Sequence, residues 1–307
     1  SWIESRALRH NTIWISFDER EDNIEAFWSC VEAAIVKLDR EDLIYEARPV
    51  VDTLLYSIST SDKEIIFVFD NFQYIKSREI LTEIKHFIDG MGDNVHIIIN
   101  SRTKPDINLA RLRLNGELTE IERSELNFSY DETLQFFNRN SSEPISEKNV
   151  KTLWGSMEGW AAGLQIALLS MEKSDMAEIE REFNGENDNI QDYFSEEVMN
   201  SLTDDVKDFL LKTSVLDELN AELCNAVSLR KNSQQVLEQT YDMNLFIDRC
   251  DYGGKAFRYH KLFRGFLLSR LKGKNMDEAY EASSRAAGWY EENGFINNAV
   301  KQYIDVG

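Results

Sequence analysis

Two polar residues stand where they could meet at one edge of a parallel sheet. Asp70 closes the apolar run 65–69, and Arg102 follows the run 96–100. The carboxyl ends of parallel strands share one edge, where open sheets of this type bind ligands. A carboxylate there can hold the Mg²⁺ of a nucleotide, and a guanidinium can pair with phosphate oxygens. Ordinary roles stay open, because strand-ending aspartates form turns and arginines pair with surface acids.

Two later segments carry unusual residue patterns. Segment 158–167 places Gly159 and Gly163 in an expected helix, where each glycine costs up to about 1 kcal/mol relative to alanine. Something close by must need a bare backbone, either a neighbouring helix or a flat ligand ring. Segment 258–263 joins an expected strand to an expected helix. His260 in that segment could donate a hydrogen bond to an anion or be an ordinary structural histidine.

The common motifs of catalytic and phosphate-binding sites are absent from the sequence. It contains no GxxxxGK[ST] loop, and the Gly253-Gly254-Lys255 triplet has the wrong spacing for one. It also lacks HExxH and GxSxG motifs, and its four histidines are scattered. The three cysteines lie far apart without a CxxC pair, so they predict neither zinc binding nor a disulfide framework.

The elements that would position these residues change in type along the chain. β-branched runs at 13–17, 65–69 and 96–100 alternate with amphipathic stretches, which predicts parallel strands joined by helices. Expected helices cover 24–38, 50–59 and 77–89, the first with a capping-box-like start at Asp22 and Glu25. A further strand is expected at 118–121.

Helical periodicity dominates after residue 125. Helices are expected in the 130s, at 150–154, 159–171, after Thr203, at 221–227 and at 233–243. Extended runs 245–249 and 256–260 flank a Gly253-Gly254 turn, and a helix over 261–271 follows. Three helices before a hairpin predict a winged helix. Two helical segments in 276–307, separated by Gly294, resemble one repeat of a superhelical array.

Charge and hydropathy narrow the class of protein. The 307 residues contain 34 Lys and Arg against 55 Asp and Glu, a net charge of −21. A surface this acidic repels nucleic acid and anionic lipid, so we expect no direct DNA binding and no membrane partner. With no signal-peptide core and no span of about 20 apolar residues, the sequence predicts a cytoplasmic protein.

Five segments in this order resemble the signal-transduction ATPases of the STAND class, specifically the large ATP-binding, LuxR-type, MalT-like transcriptional regulators of bacteria. The resemblance covers nearly the whole chain, and its last two segments are the most specific. The segments are a second strand and its helix (14–18 with 27–28), a Walker B segment (67–72), a sensor segment (100–102 with 109–113), an EGWxAGLQ helix (158–167) and an RYHxLF motif (258–263).

The resemblance implies ATP and ADP as cofactors, with Mg²⁺. Asp70 would serve Mg²⁺ and Arg102 would read the γ-phosphate, as the two candidate catalytic residues. His260 would touch the β-phosphate, and the helix with Trp160 and Gly163 would line the base or ribose. Arg258 is a further candidate nucleotide-binding residue. Exchange of ADP for ATP would open the module for self-association.

Three departures limit this resemblance. The sequence is expected to begin just after the Walker A loop, so the first strand and the phosphate-binding lysine are absent. Asn71 stands where an acid often follows the Walker B aspartate. Since an amide cannot act as a general base, hydrolysis would be slow, and whether the chain is an enzyme stays open. Lys261 stands where relatives often carry a second histidine.

The resulting fold class is α/β plus α, in four parts. We predict a nucleotide-binding domain over 1–124 built on a partial parallel sheet, then a helical domain over 125–200. A winged-helix domain over 201–272 and the start of a TPR-like helical sensor over 273–307 would follow.

The functional prediction is an ATP/ADP-dependent switch region of a LuxR-type regulator, impaired in nucleotide binding as this chain. A small-molecule or protein inducer would act through a sensor outside the chain. The alternative is a nucleotide-independent protein-interaction scaffold.

Overall fold

The computed structural model describes residues 12–36, 50–60, 63–107, 109–141, 145–171, 187–250 and 255–306. The chain folds into two compact units, unit 1 over Ser1–Thr119 and unit 2 over Glu120–Gly307. Each unit has its own cluster of buried apolar side chains. The finer four-part division of the chain stays a prediction.

Unit 1 is built on a parallel sheet of three described strands. β1 (Thr12–Ser16), β2 (Ile65–Asp70) and β3 (Val95–Ile99) lie in the order β1-β2-β3. Their register aligns Ile13 with Phe67 and Phe67 with Ile97. The central strand is apolar up to its last residue and buried, as a strand flanked on both sides must be. The sheet therefore carries Asp70 at the end of its middle strand.

Four described helices accompany this sheet. They are α1 (Ile24–Val36), α2 (Val50–Ser59), α3 (Arg78–Gly90) and α4 (Ala110–Asn115). Their apolar side chains join the sheet face that carries Ile13 and Phe67 in one buried cluster. Residue Leu38 of the predicted first helix lies outside the described residues.

The predicted cap of α1 is wrong in its residues. Asn23, not Asp22, accepts the N–H of Ala26 at 2.9 Å and so caps the first turn. The Asp22 carboxylate instead accepts the N–H groups of Lys76 and Ser77, each at 2.7 Å, just before α3. A carboxylate satisfies whichever unpaired N–H groups the fold brings near it, and here these come from a segment remote in sequence.

Unit 2 is helical apart from one hairpin. Its described helices are α5 (Arg123–Leu126), α6 (Tyr130–Asn140), α7 (Glu147–Met157), α8 (Ala161–Met171), α9 (Asp188–Tyr193), α10 (Asp204–Thr213), α11 (Ala221–Ser228), α12 (Ser233–Asp242), α13 (Lys261–Lys274), α14 (Met276–Glu292) and α15 (Ile296–Val306). A π-helical turn, Phe194–Val198, continues α9.

The hairpin and the helices before it form the predicted winged helix. β4 (Ile247–Arg249) and β5 (Phe257–Tyr259) pair antiparallel after α10, α11 and α12. Leu219 and Phe257 exchange two main-chain hydrogen bonds, at 2.7 and 2.8 Å, which tie the hairpin to the loop before α11. The expected Gly253-Gly254 turn lies outside the described residues.

The predicted fold class is confirmed, with one element wrong. A parallel sheet, a helical part, a winged helix and the antiparallel pair α14 and α15 follow one another as expected. Residues 118–121 form no strand; they are a largely exposed link between α4 and α5. These residues have no neighbouring strand to pair with in the described part of the chain, and pairing is what stabilises a strand.

A large cavity penalty is expected at Phe194 in unit 2. This side chain is fully buried and packs against Phe246, Phe263 and Phe266 with ring centroids 5.0 to 5.3 Å apart. We expect Phe194→Ala to lower the free energy of unfolding of unit 2 by about 3–5 kcal/mol. Hydrogen–deuterium exchange of α9 and α13 measures this change.

Leu169→Ala is the matched control, because Leu169 on α8 is 50% exposed. It should change the same protection by less than about 0.5 kcal/mol. Equal effects of the two variants would show that Phe194 is not part of the core.

Candidate functional site

The carboxyl ends of the three strands in unit 1 are joined through Asp70. The hydroxyl of Ser16, at the end of β1, donates to Asp70 Oδ2 at 3.2 Å. The Asn100 amide, just after β3, donates to Asp70 Oδ1 at 2.7 Å. A carboxylate has about four acceptor positions, so these two bonds leave room for a cation. The donor set therefore fits Mg²⁺ bound partly by water and phosphate.

Hydrogen bonds between the loop after β2 and the loop after β3 hold the Arg102 backbone near the sheet edge that carries Asp70. Asn71 has φ of 57°, a left-handed conformation that asparagine tolerates, and turns the chain directly after Asp70. The next N–H, of Phe72, donates to the Asn100 carbonyl at 3.0 Å, and the Arg102 N–H donates to Gln73 Oε1 at 3.1 Å. The loops after β2 and β3 are thus tied together by hydrogen bonds.

In unit 2, segment 158–167 opens with a tight turn rather than a helix. α8 begins at Ala161, and Gly159 before it has φ of +76°. An added Cβ on Gly159 would lie 2.2 Å from the main-chain oxygen of Phe128. The Phe128 N–H in turn donates to the Gly159 carbonyl at 2.8 Å. Only glycine fits this approach of two backbones, so Gly159 is not a residue of the predicted helix.

Gly163 lies inside α8 and faces an aromatic ring of the protein itself. An added Cβ would lie 2.7 Å from Cε3 of Trp160. The indole of Trp160 stacks on Phe194 with centroids 5.6 Å apart and meets the edge of Phe246 at 5.3 Å. Packing within unit 2 therefore explains the bare backbone at Gly163. The contact of Trp160 and Gly163 with a nucleotide base stays a prediction.

His260 is held inside unit 2. It is 1% exposed, and its Nε2–H donates to the carbonyl of Met157, the last residue of α7, at 2.9 Å. Its main-chain N–H donates to the Phe246 carbonyl at 2.8 Å. Its other ring nitrogen, Nδ1, is buried without a hydrogen-bond partner in the described part of the chain. The residue is thus fixed by two main-chain carbonyls.

Four charged residues surround this histidine with alternating sign. Arg258 donates to Glu158 Oε1 at 2.7 Å and lies 3.4 Å from Asp248, its cross-strand partner in the hairpin. Asp248 in turn lies 4.0 Å from Arg123. The hydrogen bond to Glu158 raises the pKa of Arg258, whereas burial lowers the pKa of Arg123. The four charges cancel, which limits the cost of placing them in a half-buried site.

The same surroundings disfavour a charged His260. Burial is the main cause that lowers its pKa to about 4, and the nearby Arg123 lowers it further. Glu158 and Asp248 oppose this shift. At neutral pH His260 is therefore a neutral imidazole, with its proton on Nε2 and an acceptor at Nδ1. Such a ring cannot donate to a phosphate while it bonds Met157.

The predicted site residues fall into two groups. Asp70 and Arg102 share one sheet edge in unit 1, whereas Trp160, Gly163, Arg258 and His260 share one cluster in unit 2. Sequence reasoning missed Ser16 and Asn100 as partners of Asp70, and Arg123 and Asp248 as neighbours of His260. Ser16 and Asn100 could have been found by aligning the strand ends. Arg123 and Asp248 carry no local signal.

Two general features complete the description. In the described ranges, no group of three or more His, Cys, Asp or Glu side chains could hold a metal ion by itself. None of the described helices has both the length and the apolar character needed to cross a membrane.

Comparison with solved structures defines the class of the fold. The Walker-type ATPase PABY2304 of Pyrococcus abyssi aligns with a TM-score of 0.56 at 16% identity, covering 83% of this chain and 84% of that one. The chain thus shares the fold of a Walker-type ATPase.

Comparison of sequences narrows this class. The model of the MalT winged helix domain matches residues 195–279. The HTH-type transcriptional regulator MalT of Cronobacter sakazakii is 28% identical over an alignment of 308 positions, which covers 96% of this chain and 34% of that protein. The serine/threonine-protein kinase PknK of Mycobacterium tuberculosis H37Rv is 28% identical over 261 residues, 85% of this chain and 24% of that protein.

The resemblance to MalT-like STAND regulators is therefore confirmed. The chain spans about a third of the length of its MalT relatives and about a quarter of PknK.

The buried histidine generates a prediction about pH. Because the pKa of His260 is lowered in the folded state, the unfolded chain binds the proton first as the pH falls below 6.5. We expect the free energy of unfolding of unit 2 to fall by up to about 3 kcal/mol between pH 7 and pH 4 from this residue alone. Urea unfolding at a series of pH values measures the loss.

His260→Gln is the control, since its amide can still donate to the Met157 carbonyl but does not titrate. The difference between the two pH profiles isolates His260 from the carboxylates that also titrate near pH 4. Parallel profiles would show that His260 is not buried as a neutral ring.

Proposed function

We propose that this chain is the ATP/ADP-dependent switch region of a LuxR-type transcriptional regulator. One observation supports it above the others: the two most specific segments of the resemblance, 158–167 and 258–263, contact each other directly. Arg258 bonds Glu158 at 2.7 Å, and His260 bonds the preceding carbonyl, of Met157, at 2.9 Å. Ninety residues separate the two segments in the chain, and the fold brings them together into one cluster.

The proposed roles follow the two groups of site residues. In unit 1, Asp70 holds Mg²⁺ and Arg102 reads the γ-phosphate. In unit 2, Trp160 and Gly163 lie on the helix that lines the base or ribose, and His260 contacts the β-phosphate. Bound Mg²⁺ supplies charge neutralisation on the phosphates. Arg258 stays a candidate for phosphate binding. A phosphate would have to compete with the carboxylate of Glu158, to which Arg258 already donates.

The two groups differ in how well they fit a nucleotide as folded. Asp70 keeps free acceptor positions and fits. His260 does not, because its only N–H is spent on Met157 and its Nδ1 is an acceptor. We therefore propose two states of unit 2, one with His260 bonded to Met157 and one with His260 released. A ligand that binds one state better shifts the population toward it.

Two features of the sequence weaken nucleotide binding and turnover in this proposal. The 307 residues contain no GxxxxGK[ST] loop, so the main-chain cradle for the β-phosphate is not supplied by them. Asn71 offers an amide beside Asp70 where a general base would be needed. We propose weak nucleotide binding by the chain on its own and slow hydrolysis at best.

The proposed partners follow from the class of regulator. Self-association in the ATP state and an inducer acting through a sensor region are proposed for the protein that carries this chain. Direct DNA contact by this winged helix is not proposed, because α12 contains Glu238 and Asp242 and neither Lys nor Arg. An acidic helix has nothing to offer phosphates.

A second candidate function is a protein-interaction scaffold in which nucleotide has no part. The burial of His260 favours it, since that residue needs no ligand to be satisfied at Nε2. The last helix, α15, also exposes Ile296, Val300 and Ile304 by 50% or more. Exposed apolar side chains at helical spacing are typical of contact surfaces.

Nucleotide titration separates the two candidates. We expect millimolar MgATP to shift the amide NMR signals of the residues around Asp70 and Asn100 in the isolated chain. Arg102→Ala should weaken this binding by about tenfold or more, because a charge-assisted hydrogen bond contributes about 1.5–3 kcal/mol. For Asp70→Asn the matched control is Asp93→Asn, an exposed acid just before β3 and so at the opposite end of that strand from Asn100.

Each outcome decides between the proposals. Shifts that vanish in Asp70→Asn but persist in Asp93→Asn support the switch. No shift at any MgATP concentration supports the scaffold. Micromolar affinity would contradict the proposed impairment, because the phosphate cradle would then have to come from other residues.

A further inference from the structure

Arg123 is the charged residue that joins the entry of unit 2 to the His260 cluster. It begins α5, close after Thr119, the last residue of unit 1. Its guanidinium lies 4.4 Å above the centre of the Phe246 ring and 4.0 Å from Asp248. One of its nitrogens is buried without a hydrogen-bond partner among the described residues. Stacking on Phe246, rather than full hydrogen bonding, therefore holds this cation in place.

Phe246 connects Arg123 to the histidine. Its ring meets the His260 ring edge-on at 5.9 Å, and its carbonyl accepts the His260 N–H at 2.8 Å. Phe246 has φ of 55°, which is unfavourable for a bulky residue and needs the surrounding contacts to maintain it. The same residue, Phe246, therefore contacts Arg123 through its ring and holds His260 through its main-chain carbonyl.

The charged residues of the His260 cluster come from four places in unit 2. Arg123 lies at the start of α5, Glu158 in the turn after α7, Asp248 on β4 and Arg258 on β5. Glu158 bonds Arg258 through Oε1 at 2.7 Å and lies 3.7 Å from His260 Nε2 through Oε2, whereas Arg123 reaches its acid only at 4.0 Å. The positive charge of Arg123 is therefore the less compensated one, and it opposes a second proton on the imidazole.

We propose that Arg123 is a positioning residue for His260, whose charge, held on the Phe246 ring, adds to the effect of burial in keeping a second proton off the imidazole that bonds the Met157 carbonyl. Moving Arg123 away would remove this part of the barrier to a proton on Nδ1, the ring nitrogen from which His260 could donate to an anion. Because Arg123 sits at the entry of unit 2, any displacement of that segment would act on the histidine. This link to switching rests on the proposed function. The effect of the Arg123 charge on His260 protonation does not depend on it.

The test is an NMR titration of the His260 ring in the chain without nucleotide. His260→Gln identifies the signal among the four histidines. We expect Arg123→Gln and Arg123→Met to raise the pH midpoint of the His260 titration by roughly half a pH unit to one pH unit, since a nearby positive charge is lost. In Arg123→Lys the midpoint should stay near that of the wild type, because the positive charge is kept. In Glu158→Gln the midpoint should fall, because a negative charge is lost. A purely structural role of Arg123 would not produce these opposite signs.

Two results would overturn the assignment. One is an unchanged or lower midpoint in both Arg123→Gln and Arg123→Met, with thermal unfolding near that of the wild type. The other is a shift in Arg123→Lys as large as in Arg123→Gln, which would mean that shape and not charge matters. Arg123→Met retains an unbranched stem on Phe246, so folding of at least one neutral variant is expected.

Failure of the proposed function has a different signature. If the midpoints move as expected but MgATP does not bind, Arg123 sets the state of His260 and the nucleotide switch is wrong. If MgATP binds and the midpoints do not move, the switch stands without Arg123.

Discussion

The hydrogen bond from His260 to the Met157 carbonyl is the contact on which unit 2 depends. It joins the end of α7 to the start of α13, so that the winged-helix hairpin and the preceding helices share one core. Because the bond is buried, breaking it leaves the carbonyl and the imidazole without their present partners, and each buried polar group left unpaired costs about 1–3 kcal/mol. The bond itself favours a protonated ring, and burial outweighs it, so His260 is neutral at pH 7.

Charged residues and two strained backbone positions lie around this bond. Glu158 and Phe246 both have positive φ, at 50° and 55°, and each contacts His260 or its neighbours. Such conformations cost of order 1–3 kcal/mol each and persist only where other contacts over-determine them. Here those contacts are the Arg258 pair and the stacked rings. A cluster that combines strain, compensated charge and a buried titratable group is well suited to having two alternative states.

Prediction from sequence succeeded where a local pattern decides the structure. The run 65–69 became the buried central strand, and Thr203 became the N-cap of α10, because apolar runs and caps act within a few residues. It failed at Asp22, whose carboxylate bonds a segment remote in sequence instead of capping α1. It also failed at residues 118–121, which have no neighbouring strand to pair with in the described part of the chain. The candidate site divides in the same way. Asp70 was found from its strand, but its partners Ser16 and Asn100 lie 54 and 30 residues away.

The amino-acid sequence by itself determined the α/β and helical parts, the winged helix and the motifs that resemble MalT-like regulators. These depend on periodicity, caps and spacing, which short stretches carry. Only the tertiary structure decided that His260 bonds the carbonyl of Met157 and that Arg123 stands over Phe246. The physical reason is that burial and electrostatics arise from residues brought together across more than 100 positions, and no local pattern encodes such a meeting.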